Sequence, residues 1–170
     1  MNIFSGIEYK ILKDVNLDRK YNGIEYDSRK IKENYIFVAF EGANVDGHDY
    51  IDSAVKNGAT CIIVSKEVEM NVSYVLIEEI RHKLGYIASN FYEWPQRKLK
   101  IIGVTGTNGK TSSTYMIEKL MGDIPVTRIG TIEYKVGDEV FDAVNTTPES
   151  LDLIKIFDKT LKKKIEYVVM

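Results

Sequence analysis

Residues Lys100-Ile101-Ile102-Gly103-Val104-Thr105-Gly106-Thr107-Asn108-Gly109-Lys110-Thr111 run from an apolar segment straight into a glycine loop that ends in Gly-Lys-Thr. Leu99 to Val104 are apolar and β-branched enough to read as a buried strand, and Ser112 to Met121 read as a helix closed by Gly122. A glycine loop set between strand and helix turns successive backbone N–H groups inward, and the helix N-terminus adds partial positive charge, so a triphosphate is held largely by backbone. Lys110 then serves as a mobile charge for the β- and γ-phosphates, and the Thr111 hydroxyl as a ligand for the Mg²⁺ that bridges the same oxygens. The local order of strand, phosphate loop and helix predicts an α/β nucleotide-binding fold.

The strict pattern G-x-x-x-x-G-K-[ST] would begin at position 104, where the chain has Val104; Gly103 and Gly106 stand on either side. Gly103, Gly106 and Gly109 are spaced by three, unlike the dinucleotide fingerprint G-x-G-x-x-G, which has no need of a Lys-Thr pair. The competing reading is a glycine-rich turn with no ligand, and it leaves the strand, helix and Lys-Thr context unaccounted for.

Outward from this loop, the 170 residues, 44% hydrophobic and 28% charged, suit one large domain or a small domain plus part of a second. Tyr35 to Phe40 reads as a strand, Tyr50 to Asn57 as a short helix stopped by Gly58, and Thr60 to Ser65 as the next strand, which makes a β-α-β unit. Ser73 to Ile77 gives another strand, and Glu78 to Tyr92 a helix with Ile80, Leu84, Ile87, Ala88 and Phe91 on one face. Trp94-Pro95-Gln96-Arg97-Lys98 interrupts the pattern, so residues 1–95 are expected to form a small α/β domain and 98–170 the first part of a second. That second part continues through Val126 to Ile129, a hairpin of Glu133 to Val136 and Val140 to Val144 around Gly137-Asp138, a helix from Glu149 to Lys163, and a strand from Ile165 to Met170. In open α/β sheets ligand groups lie just past the C-terminal ends of strands. The expectation is therefore an incomplete domain with an unfinished sheet, its last strand buried-looking in sequence but open to association or disorder.

A net charge of −2 supplies no basic field for nucleic acid, and Lys162-Lys163-Lys164 reads as the solvated end of a helix. The single cysteine, Cys61, lies in the apolar run Thr60 to Val64 and is expected in the core; no disulfide framework is available, which fits a reducing cytoplasm. The N-terminus carries no basic-then-apolar leader, and no apolar run approaches the roughly 18 residues of a membrane span, so no membrane insertion is expected. His48 and His82 are the only histidines and lack metal-ligand spacing; both read as structural or exposed.

Three separated motifs resemble the Mur ligases, which use ATP to add amino acids to the UDP-N-acetylmuramoyl peptide of bacterial cell-wall precursors. Thr105-Gly106-Thr107-Asn108-Gly109-Lys110-Thr111 is similar to that family's ATP loop, including its tolerance of a non-glycine at the first Walker position. Asp27-Ser28-Arg29, Phe37-Val38-Ala39-Phe40-Glu41-Gly42 and Asp46-Gly47-His48 are similar to the UDP-binding domain of the members that add the third residue or the terminal dipeptide. Thr107-Asn108, with Asn145-Thr146-Thr147-Pro148, resembles the third-residue members. The likeness runs from about Tyr26 to Met170 and implies a small N-terminal UDP-binding domain followed by the beginning of the family's central P-loop ATPase domain.

The resemblance further implies that Ser28 and the backbone around Tyr26 contact the uridine diphosphate end, that Ala43, Asn44 and Val45 line the uracil pocket, and that Asn145, Thr146 and Thr147 hold the muramoyl peptide. Thr105 to Thr111 would bind ATP, with Lys110 and Thr111 serving the chemistry and Thr111 the Mg²⁺. The implied partners are UDP-MurNAc-L-Ala-D-Glu and a diamino acid, in a bacterial cytoplasm, with oligomeric state open. The D-Glu γ-carboxylate would take the γ-phosphoryl group as an acyl phosphate, and the amine would displace it. In the family a Mg²⁺-binding glutamate, a carbamylated lysine and an amino-acid-binding domain follow the strand that matches Ile165 to Met170, so the chain by itself is expected to be inactive. From the residues alone, Asp27-Ser28 reads as a turn or helix cap, and Asn145 to Pro148 as an N-cap with proline in the first turn. Two other functions stay open: a ligase for the terminal dipeptide, and a non-catalytic nucleotide- or UDP-sugar-binding module.

Overall fold

A computed structural model describes residues 2–13, 15–16, 19–42, 45–143 and 148–170. The chain divides into two compact units, residues 1–91 and 92–170, each built on a five-stranded sheet.

In the first unit, β1 (Lys10–Lys13), β2 (Gly23–Glu25), β3 (Tyr35–Ala39), β4 (Ala59–Val64) and β5 (Tyr74–Leu76) lie in the order β1-β5-β4-β3-β2. All neighbours are parallel except β1, which runs antiparallel to β5. Parallel strands are covered on both faces, which is why β3 and β4 are written as unbroken apolar runs. Ile36, Phe37, Cys61, Ile62, Ile63 and Val64 have no exposed surface. Helix α1 (Ile51–Lys56) crosses between β3 and β4, so the expected β-α-β unit is present. Gly58 ends it at φ +109°, and a Cβ there would come within 2.8 Å of the Glu33 Cα, a double requirement for glycine. Helix α2 (Ile80–Phe91) buries Ile80, Leu84, Ile87 and Ala88 on the face its periodicity predicts. Strands β1 and β2 were not anticipated from the sequence: β1 is an edge strand with Lys10 and Ile11 exposed, and β2 is three residues long.

The second unit contains β6 (Lys100–Ile102), α3 (Lys110–Leu120), β7 (Val126–Ile129), β8 (Glu133–Val136), β9 (Glu139–Asp142), α4 (Ser150–Lys162) and β10 (Tyr167–Val169). Its strand order is β6-β10-β7-β8-β9, with β10 parallel to both neighbours and β7-β8-β9 an antiparallel meander. Gly122 and Gly137, both at φ +60°, close α3 and turn the β8–β9 hairpin. Three expectations are corrected. The last strand is buried, as its apolar residues read, but it is no edge open to association, because β10 is inserted between β6 and β7. Conversely, the phosphate-loop strand is not fully buried: among the described residues β6 pairs only with β10, and Lys100 and Ile101 are exposed. Helix α4 takes Glu149 as its N-cap, with an extended backbone (φ −60°, ψ 151°), so Pro148 precedes the helix instead of sitting in its first turn. At its other end, Lys163 caps α4 and Lys164 turns left-handed at φ +59°; the Lys164 N–H donates to the Leu161 carbonyl (2.8 Å) and the Ile165 N–H to that of Thr160 (3.1 Å).

Candidate functional site

The phosphate loop leaves the sheet between β6 and α3 under control of the central strand. Met170 N–H donates to the Ile102 carbonyl (2.9 Å), and Val104 N–H donates to the Met170 carbonyl (2.6 Å), so the residue that replaces the first Walker glycine is held by the ladder. The backbone then turns at Gly106 (φ +151°) and Gly109 (φ +79°), conformations that favour glycine. A Cβ added to Gly103 or Gly109 would meet no protein atom within 4 Å, which leaves the loop backbone open to a ligand. Thr105, Gly106, Thr107, Asn108 and Gly109 are all exposed. Lys110 folds back over the loop, its Nζ donating to the Gly106 carbonyl at 2.5 Å. The Thr111 hydroxyl lies 3.0 Å from that of Thr131. Gly103, Thr105, Lys110, Thr111 and Thr131 share the wall of a cavity of about 440 Å³ with Pro148 and Met170. Apart from Pro148, these groups follow the C-terminal ends of parallel strands, where open α/β sheets collect ligand-binding residues.

The donor set fits a magnesium nucleotide. Mg²⁺ prefers hard oxygen ligands and shares its shell with phosphate oxygens and water, and the loop offers hydroxyls beside an open glycine cradle. Among the described residues there is no group of three or more His, Cys, Asp or Glu side chains that could hold a metal.

Beneath this loop lies a charged cluster that the sequence reading passed over. The Arg128 side chain, on β7, is 3% exposed; its Nε donates to Glu118 of α3 and its Nη2 to Glu133 of β8, each at 2.6 Å. The guanidinium lies 3.7 Å from the Tyr115 ring centroid, and Lys135 reaches Glu118 at 2.8 Å. Burial opposes the charge on Arg128, but Glu133 and Glu118 outweigh it and raise its pKa. In return, Arg128 lowers the pKa of Glu133. Burial pushes Glu118 upward, while Lys135 and Arg128 more than offset it and bring it below the ordinary carboxylate range. Nη1 is buried and without a hydrogen-bond partner among the described residues. The cluster ties the helix that carries Lys110 and Thr111 to β7 and β8. The available signal was a charged residue in Val126-Thr127-Arg128-Ile129, a strand with every residue buried.

In the first unit the residues of interest also follow parallel strands. Tyr26 comes after β2, and its ring centroid is 5.9 Å from that of Phe40, which comes after β3. Ser28 is buried in a single 3₁₀ turn capped by Asp27, whose carboxylate accepts the Arg29 N–H at 3.0 Å and pairs with its guanidinium at 2.9 Å. The cap reading of Asp27-Ser28 is therefore the local geometry, and Arg29 holds the Asp27 carboxyl below its ordinary pKa. Asn57 Nδ2 donates to the Ser28 carbonyl at 2.9 Å. Val45 is exposed, and its carbonyl accepts the Gly42 N–H at 2.8 Å. Ala43, Asn44, Asn145, Thr146 and Thr147 lie outside the described residues.

His48 is buried, its Nδ1 2.5 Å from Asp46 and its Nε2 accepting the Ser65 N–H at 3.3 Å, whereas His82 is exposed. Acceptance at Nε2 places the proton of a neutral ring on Nδ1, facing Asp46. Lys66 bridges Asp46 (2.6 Å) and Glu41 (2.9 Å). The ammonium of Lys66, followed by the N–H and ring of His48, holds Asp46 well below the usual carboxylate range. His48 is thus a fixed brace between two loop ends.

Two family models match the chain: the Mur ligase family catalytic domain over residues 20–102 and the Mur ligase middle domain over residues 104–170. The chain is 92% identical over its whole length to the UDP-N-acetylmuramoyl-L-alanyl-D-glutamate–2,6-diaminopimelate ligase of Fusobacterium nucleatum, of which it covers 36%. It is 40% identical to the enzyme of the same name from Caldanaerobacter subterraneus, again over all of this chain and 36% of the relative. The chain thus spans about a third of the length of these curated relatives. Among solved structures, a ligase of the same name matches with a TM-score of 0.70 at 22% identity, covering 91% of this chain and 34% of that one. The MurF ligase of Thermotoga maritima in complex with ADP matches with a TM-score of 0.61 at 25% identity, covering 86% and 30%. Phosphate loop, sheet topology and both family models agree, and the chain belongs to the Mur ligase family.

Proposed function

We propose that this chain forms the nucleotide-sugar- and ATP-binding portion of a ligase that joins a diamino acid of the 2,6-diaminopimelate class to UDP-MurNAc-L-Ala-D-Glu. The observation that carries this reading is the 92% identity, over every part of the chain, to a ligase named for that reaction. In the proposed reaction the D-Glu γ-carboxylate takes the γ-phosphoryl group of ATP, releasing ADP. The amine then attacks the acyl phosphate, forming the amide and releasing phosphate and a proton. Positioning and charge neutralisation supply most of the catalysis in such a transfer.

The chain's own residues divide that work. Backbone N–H groups from Thr105 to Gly109 cradle the phosphates, and Lys110 exchanges the Gly106 carbonyl for phosphate oxygens, trading a neutral acceptor for a charged one. Thr111 holds Mg²⁺, which when bound offsets the phosphate charge. Tyr26 and Ser28, with Ala43, Asn44 and Val45, receive the uridine diphosphate end, while Asn145, Thr146 and Thr147 hold the muramoyl peptide. The substrate is a nucleotide-linked precursor, which assigns the activity to the bacterial cytoplasm. No helix among the described residues is long and apolar enough to cross a membrane.

Calorimetric titration with UDP-MurNAc-L-Ala-D-Glu, against the corresponding UDP-MurNAc-tripeptide, tests the reading. Dipeptide-selective binding that weakens in Ser28→Ala is expected, because a buried hydroxyl lost from a phosphate contact removes roughly 1–3 kcal/mol of binding. A folded sample that binds both ligands equally, or a Ser28→Ala variant with unchanged affinity, would overturn it.

A further inference from the structure

We propose that Arg128 is a positioning residue for nucleotide binding, fixing the angle at which α3 presents Lys110 to the phosphates; the inference rests on the nucleotide reading of the phosphate loop. Apolar packing does little to seat α3. Of its 11 residues only Thr114 is buried, while Met116 and Leu120 are 65% and 86% exposed. Helix α4 of the same unit, by contrast, buries Leu151, Ile154 and Phe157. The stripe of α3 that meets β7 and β8 is Thr111, Thr114, Tyr115 and Glu118, spaced i, i+3, i+4, i+7, and it is polar. The tilt of the helix is therefore set by polar contacts, and Arg128 is where they converge.

The guanidinium uses its face and its edge at once. Its plane lies against the Tyr115 ring, Nε takes Glu118 of the helix and Nη2 takes Glu133 of β8, while the Tyr115 hydroxyl donates to the same Glu133 carboxylate at 3.2 Å. The four side chains close a ring through α3, β7 and β8. A planar fork can stack and pair two carboxylates together, which a lysine ammonium cannot. Glu118 stands eight residues after Lys110, about 12 Å along the axis at 1.5 Å per residue, so the clamp grips one end of a lever whose other end carries the phosphate-binding lysine. Stability alone does not account for the residue. Nη1 is buried without a partner among the described residues, and an apolar side chain between the buried Val126 and Ile129 would avoid that cost. What the guanidinium adds is direction: it fixes α3 in tilt and rotation, where an apolar contact would let it slide.

The test is ADP titration of the full chain, with Mg²⁺ present throughout, for wild type, Arg128→Lys, Glu118→Gln and the double variant, each alongside a thermal melt. Arg128→Lys keeps a positive charge beside both carboxylates but loses the fork. It should fold and bind ADP about tenfold more weakly, the equivalent of one misaligned charged hydrogen bond to the phosphates. Glu118→Gln loosens the same clamp from the helix side and should also weaken ADP binding, and the double variant should bind no more weakly than Arg128→Lys, because both changes break one connection. A folded Arg128→Lys with a lowered Tm and wild-type ADP affinity would show that the residue is only structural. A double variant whose loss is the product of the single losses would show that Arg128 does not act through α3. Should Arg128→Lys fail to fold, wild-type affinity in Glu118→Gln overturns the inference by itself. If the folded wild type binds no ADP, the nucleotide reading falls and this inference with it.

Discussion

Thr127 on β7 and Thr160 on α4 have no exposed surface, and their hydroxyl oxygens are 2.9 Å apart. Thr160 Oγ1 also donates to the Ile156 carbonyl at 2.7 Å. A hydroxyl has one proton, so Thr160 has already committed its own and accepts that of Thr127. The two substitutions are therefore unequal. Thr127→Val removes a donor and leaves Thr160 still donating, a loss of about 0.5–1 kcal/mol. Thr160→Val leaves a buried O–H on Thr127 without an acceptor, which costs about 1–3 kcal/mol. Replacing both by valine removes donor and acceptor together, so the double variant should be more stable than Thr160→Val alone. The chain's one tryptophan, Trp94, belongs to the second unit, so its fluorescence during urea unfolding reports on that unit. Each kcal/mol corresponds to a shift of about 4–8 °C in Tm for a unit of this size, which makes the order measurable by thermal melting as well. If Thr127→Val is the more damaging substitution, or if the double variant loses the sum of the two, the assigned proton direction is wrong.

Two further outcomes follow from backbone strain and charge. Lys164→Gly should stabilise the second unit by about 1 kcal/mol, because a side chain at φ +59° carries roughly 1–2 kcal/mol of strain and glycine returns part of that as chain entropy; an unchanged or lower Tm would contradict this. Asp46 is held below its ordinary pKa, so its pairing with Lys66 and His48 stabilises the fold above about pH 4 and is lost as pH falls through the lower folded value. Asp46→Asn should accordingly melt below wild type at neutral pH and converge with it in acid, whereas a constant difference from pH 7 to pH 2 would refute the assignment.

The sequence revealed those elements whose patterns are local. Strands β3 and β4 are contiguous apolar runs, α2 repeats its apolar residues at helical spacing, and the phosphate loop is a single stretch between strand and helix. What it hid depends on partners distant in the chain. Strand β1 exposes half its residues because it lies at an edge, so its pattern carries little signal. Arg128 acquires its meaning only from Tyr115 and Glu118 on α3 and Glu133 on β8, and Thr131 only from its approach to Thr111. The burial of β10 was legible in its apolar residues, but its place between β6 and β7 was not: apolar character predicts a covered strand and not which neighbours cover it.

The central position of β10 also imposes an order on how the second unit can be made. Strand β6 has no strand neighbour among the described residues except β10, and Tyr167 registers with both Lys100 and Val126. During synthesis the phosphate-loop strand therefore emerges long before β10, its one strand partner among the described residues. The meander of β7, β8 and β9 can close early through local contacts, while β6 must wait for a pairing of long sequence separation, the slow class of folding event. Within the described residues, β10 is wedged between the early meander and the waiting β6, and the Val104 end of the phosphate loop gains its ladder contact to Met170 only once that wedge is in place.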